Sequence, residues 1–258
     1  MAASFPGLVV LEDAAAVARE GAARFVAQAR EAIKARGAFH VALSGGKTPA
    51  AMYRVLAADD MRATVDWSRV QLYWSDERSV PPEHGDSNFG MANRELLVKV
   101  AIPAANVHRM EAERADAERA AEEYEALLRT MLSSGPGSFP CFDLIYLGMG
   151  PDGHTASLFP GSVGLNEKAR GVIFQPVVIA DGSKTHRMTF TFPLLNAARV
   201  VLFLVTGADK TQRLREVLEG THRPPYPSQS VRPSAGERVF LADRAAAGPL
   251  DSNLGPRP

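Results

Sequence analysis

Short apolar runs rich in Val, Ile, Leu and aromatic residues recur at Phe39–Leu43, Val70–Trp74, Phe142–Leu147, Val172–Val178, Met188–Phe192, Val200–Val205 and Val239–Leu241. Several are continuously apolar rather than alternating, the pattern of parallel strands covered on both faces. Between many of them the period becomes helical. Val17, Gly21, Phe25, Ala29 and Ile33 repeat every four residues and lay a stripe along one helix face. Tyr124, Leu127, Leu128 and Met131 do the same after Arg114, opposite a face rich in Glu and Arg. Strands alternating with helices predict an α/β fold with a mostly parallel sheet and helices on both sides.

No internal repeat and no long linker divides the chain, so residues 1–258 read as a single domain. The Ser133–Pro140 stretch (SSGPGSFP) is turn-forming, a surface loop or a hinge. His222–Pro233 carries four prolines and should cross the surface irregularly. The last residues, 245–258, are Ala, Gly and Pro with little to bury, and fraying is expected there.

Charge narrows the partners. Lys+Arg and Asp+Glu both count 29, so no global field favours a polyanion and nucleic acid is not an expected partner. Any anion must be caught by a local site. Cys141 is the only cysteine, so no intrachain disulfide forms, which fits a reducing compartment. The N-terminus MAASFPGLVV lacks a basic start followed by a long apolar run, and no apolar stretch approaches a membrane span. The expectation is a soluble, cytoplasmic protein with no membrane partner.

In such sheets ligands bind beyond the carboxyl ends of the strands, where a strand meets a Gly-rich turn. The run Val41–Leu43 ends in Ser44-Gly45-Gly46-Lys47-Thr48-Pro49, and a helical pattern follows. Thr48 reads as an N-cap and Pro49 as the first helical position, which turns free N–H groups toward the loop. With the helix dipole and Lys47 they suit a phosphate or carboxylate. A plain strand–helix turn with a solvated lysine has the same pattern. It is not a Walker A loop, which would need Gly where Val41 stands.

Phe142–Leu147 runs into Gly148-Met149-Gly150-Pro151-Asp152-Gly153-His154. This fits G-x-G-x-x-G, but Pro151 removes an N–H donor from the turn. The next strand run also ends in Asp181, well beyond the ~20 residues expected of a ribose-binding acid. A nucleotide cofactor is therefore not expected. The turn does present His154, with Asp152 two residues before it, and histidine is the side chain best suited to exchange protons near neutral pH. A lone histidine can equally serve as a structural hydrogen bonder.

Val70–Trp74 ends in Ser75-Asp76-Glu77-Arg78, followed by His84, Ser87 and Asn88. A turn with carboxylates beside Arg78 can bind sugar hydroxyls and an anion, or can simply form a surface ion pair. Arg187 opens one strand run, and Lys210 follows the strand Val200–Val205 through Thr206-Gly207-Ala208-Asp209. No G-x-S-x-G elbow exists, Cys141 has no activating neighbours, and the six histidines form no compact ligand spacing. Neither a metal nor a covalent nucleophile is indicated. For a hydrolysis, water is the expected nucleophile and His154 the best candidate base.

Taken together, Ser44–Pro49 (SGGKTP), Trp74–Arg78 (WSDER) with Ser87-Asn88, Gly148–Pro160 (GMGPDGHTASLFP), His186–Thr189, Thr206–Lys210 (TGADK) and Gln229–Pro233 (QSVRP) resemble the 6-phosphogluconolactonase family, in its order and across nearly the whole chain. The related glucosamine-6-phosphate deaminases differ after D-G-H, where they read I-A-F-N-E-P, and carry Asp-Glu-Tyr where this chain has Asp76-Glu77-Arg78. The resemblance implies a Rossmann-like doubly wound α/β fold, no cofactor, and 6-phospho-D-glucono-1,5-lactone as substrate, hydrolysed in the oxidative pentose phosphate pathway. It implies that Ser44, Gly45, Gly46, Lys47, Thr48, Arg187 and Lys210 hold the phosphate. Asp76 would contact hydroxyls, Arg78 would lie near the phosphate or the lactone end, and His154 would activate water at C1. The expected partner is a small sugar phosphate lactone, and the chain is expected as a monomer or weak homo-oligomer.

Overall fold

The computed structural model describes residues 5–132, 137–179, 182–248 and 250. Strands β1 (Leu8–Leu11), β2 (Phe39–Leu43), β3 (Val70–Trp74), β5 (Leu144–Gly148), β8 (Val200–Val205) and β9 (Glu237–Asp243) form one sheet in the order β1-β9-β8-β5-β2-β3. Every neighbouring pair in it is parallel. Strands β4 (Asp76–Arg78), β6 (Val172–Val178) and β7 (Lys184–Phe190) make a second, antiparallel sheet in the order β4-β7-β6. The longer helices are α1 (Ala14–Arg36), α2 (Lys47–Leu56), α4 (Asn88–Glu95), α5 (Ala117–Met131) and α7 (Thr211–Glu219). Single turns α3 (Asp59–Arg62), α6 (Phe192–Leu195), α8 (Pro227–Ser230) and α9 (Arg244–Ala247) complete the set.

The periodicities account for this packing. Val41–Leu43, Leu144–Leu147 and Val201–Val205 are buried throughout, so both faces of the central sheet are covered and a mostly parallel sheet results. The α1 stripe buries Val17, Gly21, Phe25 and Ala29, and Ile33 packs against the same core from a partly buried position. Asp13 caps α1 by accepting the Ala16 N–H at 2.7 Å, and Gly37 ends it in the left-handed region at φ 84°.

Three sequence expectations change. The runs at 172–178 and 188–192 do not join the parallel sheet. In β6 burial falls off toward an exposed Pro176 and Val178, and a proline fits because β6 is an edge strand. β7 starts earlier, at Lys184, and Phe192 already begins α6. Fraying from residue 245 is not what α9 displays: Ala246, Ala247 and Leu250 are buried in the core, while residues 251–258 lie outside the described residues. Of the Ser133–Pro140 turn, residues 133–136 also lie outside them. Among the described residues no helix is long and apolar enough to cross a membrane.

The amino end of the sheet is tied by one buried carboxylate. Asp143 accepts the His40 N–H at 2.9 Å and the Arg36 Nε–H at 2.9 Å, with Arg199 Nε at 3.5 Å. Both arginines are partly exposed, so their share is screened, and the buried backbone donor carries most of the cost of losing Asp143. Asp143→Ala should lower unfolding free energy by about 1–3 kcal/mol. Urea unfolding should give a lower midpoint at unchanged slope, and turnover of the folded fraction should be unaltered.

Candidate active site

In sheet order, β3 lies on one side of β2 and β5 on the other. The chain therefore leaves the carboxyl ends of β2 and β5 in opposite directions, which opens a crevice at that switch point. A cavity of about 520 Å³ occupies it, lined by Ser44–Pro49, Asp76, Arg78, Asn88, Gly148–Pro151, His154, Thr206, Asp209 and Lys210.

The loop after β2 enters α2 earlier than its sequence suggests. Gly46 rather than Thr48 is the N-cap, and Pro49 falls at the third helical position, where its missing N–H costs no helical bond. The Thr48 hydroxyl instead pairs with Thr206 Oγ1 at 2.7 Å, joining the β2 and β8 turns. Lys47 is exposed at the first helical position and has no ion-pair partner among the described residues. Tyr53, one turn into α2, fixes the loop root: its hydroxyl accepts the Ser44 N–H at 3.2 Å and donates to the Ser44 carbonyl at 2.7 Å. Gly45 must be glycine, because a Cβ there would stand 1.7 Å from Asn88 Oδ1.

The Asp76-Glu77-Arg78 segment is a strand, not a turn. At Ser75 the chain steps from one sheet to the other: Ser75 N–H donates to the Leu43 carbonyl, and Phe190 N–H donates to that of Ser75. Strand alternation then sends Asp76 and Arg78 to the cavity side and Glu77 to the opposite face. Glu77 is fully engaged there, accepting from Asn88 N at 2.8 Å, Phe89 N at 2.8 Å, Arg78 N at 2.7 Å and Ser87 Oγ at 3.0 Å. It caps α4 at the positive end of that helix. Burial pushes its pKa above the usual carboxylate range, against the pull of those backbone donors.

Asp76 is buried and accepts from Ser157 Oγ at 2.6 Å and more weakly from Asn88 Nδ2 at 3.4 Å. Arg78 donates to the Asp86 carbonyl. Arg187 stands directly opposite Arg78 in the β4–β7 ladder and donates to Thr185 Oγ1 and the His186 carbonyl, each at 3.0 Å. Burial, and then the facing Arg78 charge, hold Arg187 below the ordinary guanidinium pKa.

After β5, the glycine turn folds His154 back over itself, with Gly150 N–H donating to the His154 carbonyl at 2.9 Å. His154 Nδ1 lies 2.6 Å from Asp152 Oδ1, and its ring stacks on Phe159 at 4.2 Å. Burial opposes the Asp152 charge, but the bonds from the His154 ring and backbone outweigh it and bring that carboxyl below its usual pKa. An ionised carboxylate only accepts, so Nδ1 is the donor of this bond, and in the neutral tautomer Nε2 is the nitrogen with the free lone pair. Lys210 ends a short turn, Ala208–Lys210, serves as N-cap of α7, and pairs with Asp209 at 2.9 Å. Asp243, at the end of β9, holds this turn by accepting the Gly207 N–H at 3.1 Å.

Ser44, Gly45, Gly46, Lys47, Thr48, Asp76, Arg78, His154 and Lys210 thus share one cavity, whereas Arg187 is outside its lining and stands beside Arg78 in the neighbouring strand. Sequence reasoning did not single out Ser157 and Thr206, whose hydroxyls pair with side chains from distant elements. Asp181, weighed above as a ribose ligand, lies outside the described residues.

Comparison with known proteins follows the same lines. Residues 12–240 match the family model described as glucosamine-6-phosphate isomerases/6-phosphogluconolactonase. A 6-phosphogluconolactonase of Synechocystis is 42% identical over 217 residues, covering 84% of this chain and 86% of that protein. The human 6-phosphogluconolactonase is 36% identical over 250 residues, with 96% and 95% covered. The solved 6-phosphogluconolactonase of Trypanosoma brucei superposes with a TM-score of 0.85 at 28% identity, over 98% of this chain and all of that one (100%).

The Glu77 cap yields a test of how this wall is built. Glu77→Gln retains the shape, but its amide sets N–H donors against one of the donor pairs that Glu77 now accepts. The substitution should cost about 1–3 kcal/mol of stability, read as a lower urea midpoint.

Proposed function

The chain belongs to the family of glucosamine-6-phosphate isomerases and 6-phosphogluconolactonases, within which it is a lactone hydrolase, and we propose that His154 is the general base of its reaction. The substrate is 6-phospho-D-glucono-1,5-lactone and the product 6-phosphogluconate, in the pentose phosphate pathway. The observation that carries the mechanistic reading is the 2.6 Å Asp152–His154 bond, which leaves Nε2 as a proton acceptor on the cavity wall.

In this reading His154 Nε2 takes a proton from water as the water oxygen bonds to C1. The carbonyl electrons move to oxygen, giving a tetrahedral intermediate. Its collapse breaks the bond from C1 to the ring oxygen, and the imidazolium returns the proton to that leaving oxygen. Asp152 holds the ring and stabilises the transient cation, as the acid does in a Ser–His–Asp triad. The demand is moderate because a δ-lactone is an activated ester; one positioned base contributes roughly 10²–10⁴ in rate. Cys141 lies before β5, away from the cavity lining, and burial pushes its thiol pKa up, so it offers no nucleophile.

The grip is assigned to the α2 amino end and the two lysines. The first N–H groups of α2 have no partner four residues back, Lys47 has no ion-pair partner among the described residues, and Lys210 needs only to leave Asp209. Asp76 accepts sugar hydroxyls. Arg78 supplies a further cation to the wall, and Arg187, beside it in the β4–β7 ladder, adds its field.

Two measurements test this. With proton release from fresh lactone as the assay, His154→Asn should lower kcat at least about 10²-fold with KM within a few-fold; a variant keeping most of its kcat would place the base elsewhere. For the grip, Lys47→Ala and Lys210→Ala should each cost about 10- to 150-fold in kcat/KM on the phosphorylated lactone, the scale of a lost charge-assisted bond. Both should barely alter the slow turnover of gluconolactone, and the double variant should be non-additive because one anion is shared. Equal losses on both lactones would sink the phosphate assignment.

A further inference from the structure

Beyond Asp152, the His154 turn is held by a second set of contacts from a segment distant in sequence. The crossing between α7 and β9 passes beneath the turn, and Ser228, fully buried, meets it with three bonds. Its N–H donates to the Gly153 carbonyl at 3.0 Å. Its hydroxyl lies 2.7 Å from the same carbonyl and 3.3 Å from that of His154. Tyr226 seals the contact from the side. Gly153 sits at φ +81°, and a Cβ on it would stand 2.8 Å from the Tyr226 ring.

The tyrosine is itself immobilised. The His222 ring stacks on it at 3.8 Å between centroids, and the Arg213 guanidinium lies 4.0 Å from the same centroid. Two groups that close cannot share one face, so the ring is sandwiched. Arg213 also donates Nε–H to the Pro151 carbonyl at 2.9 Å. The carbonyls of Pro151, Gly153 and His154, three of the four residues from Pro151 to His154, are thus claimed by this crossing and by α7.

The geometry points to Ser228 as a positioning residue for His154, with Tyr226 and Arg213 as its support; this rests on the reading of His154 as the base. None of the three side chains lines the cavity. Their effect is to fix the backbone that aims the imidazole, and a misplacement of about 1 Å at a reacting group can cost 10²-fold.

The test uses the full chain and the proton-release assay. Ser228→Ala should lower kcat about 10-fold with KM within two-fold, and Arg213→Ala, at a partly exposed site, should act in the same direction by about three-fold. In the His154→Asn background, Ser228→Ala should change the residual rate less than two-fold, because the group it positions is gone. Equal losses in both backgrounds would mean Ser228 acts through the fold alone and would overturn the inference. So would parental kcat in both folded single variants. If His154→Asn itself keeps its kcat, the base reading fails; if it collapses while the other two keep theirs, only the positioning inference fails.

Discussion

The pairing of β2 with β5 sets the terms for the rest of the molecule. Its register is short, Val41 with Leu144 and Ala42 with Ile145. It is nevertheless the seam where the order of the sheet reverses. Strands on either side are held by buried apolar side chains, each worth roughly 1.5–3 kcal/mol on full burial. The seam is therefore rigid, yet no connection crosses its carboxyl edge. Ser44 and Gly148 end at that edge as neighbours, and the two turns that follow them face one another across the crevice. The loop after β2 and the turn that carries His154 come from residues about a hundred apart because the sheet brings them there.

Charge is then organised locally in a chain whose formal charges cancel. Most arginines pair with nearby carboxylates, several at helical spacing, as with Arg24–Glu20, Arg129–Glu125 and Arg215–Glu219. Lys210 at the crevice also pairs with its neighbour Asp209, but three other cations there differ. Lys47 has no ion-pair partner among the described residues, and Arg78 and Arg187 bond backbone carbonyls and a hydroxyl while standing opposite each other. Like charges in directly opposed positions of an antiparallel pair are unfavourable. An anion bound beside Arg78, as proposed, would relieve that repulsion. Strand alternation limits how far the β4 carboxylates cancel the field: Glu77 is turned away to cap α4, and of the two only Asp76 faces the cavity side.

The sequence made the parallel strands legible because burial on both faces removes alternation, and it made the crevice residues legible because glycines follow those strands. It was less informative where tertiary contact overrides local preference. Thr48 has the chemistry of an N-cap, but a hydroxyl partner at Thr206 and the geometry of Gly46 move the helix start upstream. Asp76-Glu77-Arg78 looks like a polar turn because β7, the strand it pairs with, is distant in sequence. Only the Ser75 hand-over between sheets reveals the alternation that divides its three charges. Arg187 was grouped with the anion loop by resemblance; the ladder sets it beside Arg78, outside the cavity lining. Asp152 was visible two residues before His154, but a spacing cannot say that a turn closes to 2.6 Å. That closure depends on support from Ser228, which no local pattern announces.

The same support links the two ends of the reaction. Lys210 is the N-cap of α7, and Arg213, within the first turn of that helix, holds the Pro151 carbonyl beneath the histidine turn. The Thr48–Thr206 hydroxyl pair ties the α2 loop to the strand that feeds α7. If Lys210 holds the phosphate and His154 is the base, as proposed, a phosphate drawing Lys210 from Asp209 acts on the helix that braces the histidine turn, not on a separate loop. Binding energy realised far from C1 can then be expressed as alignment at C1, the way remote contacts raise kcat rather than only lowering KM. A helix is stiff over a single turn, so the coupling needs no large movement. It requires only that the proposed grip and the brace share one rigid element, and Lys210 and Arg213 both belong to the amino end of α7.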